Sequence, residues 1–537
     1  MAFSVHVFKR YVRVLLRNIR MPRSTVKQPS DSISKPTLLT IRGFQHQSQE
    51  SRGRGASRVA LFAIMCFGCA FLLLSYQVSS QAQTLKARVI ANTAAGARVQ
   101  VDLEFPRETD TFSFLNIHGS ILGLAQRIRS VTATSNSGER VSVEKRAPGE
   151  FISARKVTRF SYEVDLSPPS RLEDMSHVSW LSSQYGLLMP RDLLPRPRGS
   201  GTFSSLQVSF ELPSTWTINS GVERIGQREF MTNDPDASVF LVGSDLREVS
   251  RGIGSRRLRL MSSGKWPFSD EDVLKISQKI ADEYSKATGA TLKSDPNLIL
   301  LPFPSDARAE RWTAEARGNT VILLLANNGS RKQRLNRIGI LLSHELFHLW
   351  VPNSLKLEGD YDWFFEGFTM YLALLTDVRM RLISFNDFLE TIGRVYRSYL
   401  AIPDRDRLSL IDASANRWTG VSSLIYDKGL LTAFIYDLEM RRKSKCSTSL
   451  YDIYKDLFGM PATGQGNANE TIIRVLNARA DNDAFVKQYV EGRSQLSLES
   501  VISDHGLDVR MDQARPRLSV RGSLTNDQRQ VLKCLGY

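Results

Sequence analysis

Cysteine is scarce in this chain, and several common catalytic signatures are missing from it. Only four of its 537 residues are cysteine. Cys66 and Cys69 fall inside an apolar run, so Cys446 and Cys534 are the two left in the body of the chain. No Cys-x-x-Cys pair lies in the part that would fold, which argues against a thiolate zinc site. There is no phosphate-binding Gly-rich loop, no Gly-x-Ser-x-Gly nucleophile elbow and no internal repeat, which removes P-loop and serine-hydrolase readings. The net charge of +16 first suggests a polyanion partner, but residues 1–58 alone hold twelve Lys/Arg against two Asp/Glu. That leaves +6 for the rest of the chain, a modest value for its size, and no case for nucleic-acid binding. At 42% apolar and 23% charged, the composition is that of a globular protein, and its length calls for two or three domains.

What is present centres on Ser343-His344-Glu345-Leu346-Phe347-His348-Leu349-Trp350, a His-Glu-x-x-His motif. Apolar positions Leu335, Ile338, Ile340, Leu341 and Leu342 precede it at helical spacing, so the motif is expected on a buried helix. Residues four apart share a helix face, so His344 and His348 can point both imidazoles at one ion. Glu345, one position round, can reach a water bound to that ion. A hydrolytic zinc takes three protein ligands and keeps one position for water. After His348 come seventeen residues and then Glu366, the natural third ligand. Pro352 would end the first helix and Asp360-Tyr361-Asp362 begin a second. Two helices joined by a short loop pack antiparallel, which brings Glu366 back over the histidines. Asp360, Asp362 and Asp377 are candidates to orient the ligands. A glutamate buried beside two histidines, Trp and Phe would be costly without an ion or a proton.

The block from Leu341 to Tyr371, above all Trp363-Phe-Phe-Glu-Gly-Phe-Thr-Met-Tyr371, resembles the gluzincin zinc metallopeptidases. Within them it is most similar to the glycyl aminopeptidase family and more distantly to the membrane alanyl aminopeptidases. A second block, Ser423-Leu-Ile-Tyr426-Asp-Lys428-Gly429, is similar to the Tyr-x-Lys-Gly segment of both, and a third runs from Tyr489-Val-Glu-Gly492 to Gly506-Leu-Asp-Val509. The resemblance spans roughly residues 90–510. It implies zinc as cofactor, a peptide substrate attacked from the amino end, and Tyr426 as the donor to the oxyanion. The Gly-x-Met-Glu-Asn segment that grips the substrate amine in alanyl-type enzymes is absent; Ala314-Glu-Ala-Arg-Gly-Asn319 stands in its place. Glu315 is therefore the candidate amine anchor, against a solvated loop carboxylate. A different class also fits: a non-catalytic, membrane-tethered binding protein that keeps a gluzincin fold.

The expected fold class is α+β: an N-terminal β-sandwich, a thermolysin-like catalytic domain and a C-terminal helical region. Residues 1–58 read as a disordered basic leader and 59–76 as a transmembrane or signal segment. A linker follows over 77–85, then the β-sandwich over 86–250, where Ala97 to Phe105, Phe160 to Leu166 and Leu206 to Leu212 alternate with period two. The catalytic domain is placed at 251–445, with Ser269 opening a capped helix and Val321–Leu325 as the strand at the sheet edge. Residues 446–510 read as helical and 511–537 as a tail. Arg52, Arg54 and Arg58 before the apolar run put the leader inside and the bulk of the chain outside. The body is then exported, to a periplasmic or extracellular face, either held by one anchor or released by cleavage after Ser80-Gln81-Ala82. The Arg-rich first residues also resemble a mitochondrial presequence, but the apolar run fits export better. A disulfide between Cys446 and Cys534 would suit that compartment; two free thiols fit the sequence equally.

Overall fold

Runs of alternating polarity build the first part of the fold, seen here in a computed structural model. It describes residues 83–537 apart from 92–95, 120, 199–202, 309, 356, 404, 462–465, 481–482 and 513–514. The leader and the apolar run 59–76 lie outside the described residues. Among those described, no helix is long and apolar enough to cross a membrane.

The strands Thr84–Ala91, Arg98–Ser113, Glu150–Asp165 and Ser205–Glu211 carry the predicted alternation and join one ten-stranded sheet. Register sets like against like: Val101 faces Tyr162 and Leu103 faces Phe160, all buried on the same side. A second sheet runs in the order Thr217–Ser220, Phe240–Gly243, Tyr185–Leu188, Trp180–Leu181. Its residues divide by parity. Phe240, Val242 and Leu188 pack with the large sheet, whereas Leu241 and Leu187 turn the other way.

That other way leads to a third sheet, ordered Arg247–Ile253, Arg256–Ser262, Asn297–Pro302, Thr320–Leu325, Trp312–Arg317. Ile299, Leu301, Ile322 and Leu324 meet Leu187 and Leu241 on one face. Leu298, Leu300, Val321, Leu323 and Leu325 meet the helices on the opposite face. A strand covered on both faces needs apolar side chains at every position, which is why Thr320–Leu325 reads as a continuous run. The same fact corrects the expected edge. Thr320–Leu325 is interior, paired parallel to Asn297–Pro302 and antiparallel to Trp312–Arg317, and the latter is the edge strand.

On the helical side, Asp270–Thr288 starts at a Ser269/Asp272 capping box and ends at Gly289, whose φ of 66° suits glycine. Arg331–Glu345 starts at a second box, Ser330/Gln333. The Tyr284 hydroxyl donates to the carbonyl of Ser343, and its ring packs 4.7 Å from Phe347, locking the two helices together. The described residues of 511–537, a stretch expected as a tail, are structured. Arg515–Val520 pairs with Leu507–Asp512, and the helix Asn526–Leu535 buries Leu532 and Leu535 in the same core as Leu346. Cys446 and Cys534 form a disulfide that ties this last helix down.

Candidate active site

The α-helix Arg331–Glu345 gives way to a 3-10 turn at Phe347–Leu349, so the two histidines stand on either side of a change in helix type. Their side chains still converge. The Nε2 atoms of His344 and His348 are 3.1 Å apart, with the rings 87° from coplanar. His348 Nδ1 donates to the carbonyl of Val351 at 3.1 Å, which turns its Nε2 lone pair inward. Glu366 comes from the next helical segment, a π-helical stretch at Trp363–Phe368 that runs on into the α-helix Thr369–Arg379. Its Oε2 lies 3.7 Å from His344 Nε2 and 3.6 Å from His348 Nε2.

These donors fit a zinc ion. Ligand bonds of about 2.0–2.1 Å at tetrahedral angles put ligand atoms roughly 3.3 Å apart. The observed 3.1, 3.6 and 3.7 Å bracket that figure. Among the described residues these three form the group whose ligand atoms all lie within 4.8 Å of one another. Burial keeps both rings neutral, as a ligand must be: it drives His344 well below the usual histidine value, with His348 adding to the effect, and brings His348 down to about 4.

The segment that carries Glu366 is pinned from several sides. The backbone N–H of Trp363 donates to Ser414 Oγ at 2.9 Å, and its indole donates to Asn469 Oδ1 at 2.8 Å. Gly367 meets the helix Ser422–Lys443 at backbone distance: a Cβ there would fall 2.6 Å from Gly429 Cα and 2.8 Å from the Ile425 carbonyl. That contact explains the glycine of the Tyr-x-Lys-Gly segment. It seats the turn bearing Tyr426 directly against the turn bearing Glu366. Tyr426 and Glu345 are both buried. Of the three aspartates considered, Asp362 lies next to the ligand segment and forms an ion pair with Arg417. Asp377 is buried against Ser343 behind the helix Arg331–Glu345, and burial pushes its carboxyl well above the ordinary range. Asp360 is exposed.

Glu315 is not in a solvated loop. It lies on the edge strand Trp312–Arg317, buried, with Oε2 2.6 Å from His177 Nδ1 and Oε1 2.9 Å from Arg317. Burial raises its carboxyl, but Arg317 and His177 outweigh that and hold it well below the usual range. The segment that supplies His177 lies along this strand, where Thr313 also donates to the Glu173 carbonyl at 2.7 Å. Arg417, which reaches the metal triad, was not among the expected site residues. It sits in a three-residue 3-10 turn with no periodicity to mark it.

Residues 338–432 match the family model of the M61 glycyl aminopeptidases. The fold is similar to that of an aminopeptidase N family protein from Idiomarina loihiensis, at 19% identity and a TM-score of 0.67, over 80% of this chain and 79% of that one. An M1 zinc metallopeptidase from Deinococcus radiodurans, 14% identical, matches 78% of this chain and 95% of its own with a TM-score of 0.48. Among curated proteins no match is found.

Proposed function

We propose that this chain is a zinc-dependent peptidase that hydrolyses peptide bonds by a metal-activated water, acting from the amino end of its substrate. The observation that carries the reading is the convergence of His344 Nε2, His348 Nε2 and Glu366 Oε2 on one small volume. Bound there, zinc would supply a Lewis acid and bring the pKa of a water toward neutrality. His344, His348 and Glu366 would hold the ion. Glu345 takes the proton of the attacking water and returns it to the leaving amine. Tyr426 donates a hydrogen bond to the oxygen on which negative charge develops. An amine-anchoring role for Glu315 would require His177 or Arg317 to give up an oxygen it already holds.

Export belongs to the same reading. The apolar run 59–76 either anchors the chain or is cleaved, and the Cys446–Cys534 disulfide suits an oxidising compartment. The test is metal analysis of the purified chain together with a panel of amino-acid arylamides and amino-blocked peptides. One zinc per chain and chelator-sensitive release of amino-terminal residues are expected. A metal-free chain, or hydrolysis indifferent to chelator, overturns the zinc mechanism; equal turnover of blocked peptides overturns only the amino-end specificity.

A further inference from the structure

Arg417 has no part in the chemistry just described, yet it is one of the few charged groups beside the metal triad. It follows the short helix Leu410–Ala415 and is 7% exposed. Its Nη1 is paired with Asp362, and its Nη2 lies 3.6 Å from Glu366 Oε1. The guanidinium carbon is 5.9 Å from the centre of the Phe365 ring and 5.1 Å from that of Trp418. Nε and Nη2 are buried without a hydrogen-bond partner among the described residues. A buried cation is stable only where nearby carboxylates match its charge, and Asp362 and Glu366 do that here.

The two oxygens of Glu366 are thereby divided. Oε2 faces both imidazoles, and Oε1 faces the arginine. We propose that Arg417 is a positioning residue that restricts Glu366 to one-oxygen ligation, so that its second oxygen does not join the ion as a fifth ligand atom and crowd the water. This rests on the zinc reading above. A free carboxylate can close on an ion with both oxygens, and a hydrolytic site needs one position left open. A guanidinium fork held by Asp362, four residues before Glu366, suits this task better than a lysine. It is planar, permanently charged and able to address two carboxylates at once.

The experiment loads the purified full chain with Co²⁺ in place of zinc and compares wild type with Arg417→Met. The visible absorption of Co²⁺ weakens when a fifth ligand atom joins a four-coordinate site. Arg417→Met is expected to keep one metal per chain, to melt at a lower temperature because Asp362 is left buried without its partner, to lose absorption intensity, and to fall about 10–100-fold in turnover. Chelator competition should show metal affinity no weaker than in wild type, because Glu366 gains a contact. A Co²⁺ spectrum identical to wild type overturns the proposal, and so does weakened metal affinity with the spectrum preserved. Should Arg417→Met fail to fold, Asp362→Asn loosens the same guanidinium from its other partner and must shift the spectrum in the same direction. Failure of the wild-type chain to bind any metal would overturn the zinc reading instead, a separate outcome.

Discussion

At the edge strand, Glu315 gives one oxygen to His177 and the other to Arg317, at 2.6 and 2.9 Å. Around the His-Glu-x-x-His motif, two neutral imidazole nitrogens and one carboxylate oxygen point at a common centre, 3.1 to 3.7 Å apart. Both clusters are buried and both combine histidine with glutamate. The first closes on itself, since each acceptor has its donor and the anion its cation. The second presents three acceptors toward one point, and only a cation satisfies all of them. A composition of His and Glu therefore does not identify a metal site; the balance of donors and acceptors does. By that measure the edge-strand cluster joins two parts of the fold, and the motif cluster is a site.

The largest effect that could break this comparison is chemical. Glu345→Gln should retain one zinc per chain and lose about 10²–10⁴-fold in peptide hydrolysis, measured as turnover beside metal content. Activity near wild type would remove the general base and leave the triad without a function. Next comes the closed cluster. Glu315→Gln takes the anion from between His177 and Arg317, and breaking a buried pair costs about 3–5 kcal/mol. Denaturant unfolding should show that loss while zinc content stays at wild-type level. A zinc loss instead would mean that the two clusters are not independent. Smaller is Tyr426→Phe, expected to lower turnover on the order of 100-fold with zinc still bound; an unchanged rate would make Tyr426 a core tyrosine.

Much of the site was legible because its geometry is local. Helical spacing alone brings His344 and His348 to one face, and the loop to Glu366 is short enough to force a return. The alternating strands and the capped helix at Ser269 were legible for the same reason. The edge strand was not. Trp312–Arg317 carries Thr313, Glu315 and Arg317 on one face, and such residues read as a loop until their partners arrive from Glu173, Ser176 and His177, far away in sequence. Thr320–Leu325 misled in the opposite sense, because an interior strand and an edge strand can share the same apolar run. Arg417 left no trace, since a single turn has no period. The Cys446–Cys534 pair was open on sequence and is settled by the approach of two helical ends.

The smallest effect sharpens the comparison from within the closed cluster. His118 is buried beside Glu315, and its Nε2 has no hydrogen-bond partner among the described residues. Burial lowers its pKa to about 4; Glu315 pulls it upward, while Arg317, His177 and Arg191 push it further down. In the unfolded chain the same ring takes a proton near pH 6.5. Between about 6.5 and 4 the unfolded state therefore binds a proton that the native state refuses. The stability this residue allows is complete above pH 6.5 and declines as the pH falls toward 4, by an amount on the order of 2 kcal/mol. The measurement is the difference in unfolding free energy between pH 7.5 and pH 4.5, for wild type and for His118→Leu. The variant should lose less stability on acidification than wild type. Equal losses would mean that the cluster accommodates an added proton at His118, and that its charges are not balanced in the way its contacts suggest.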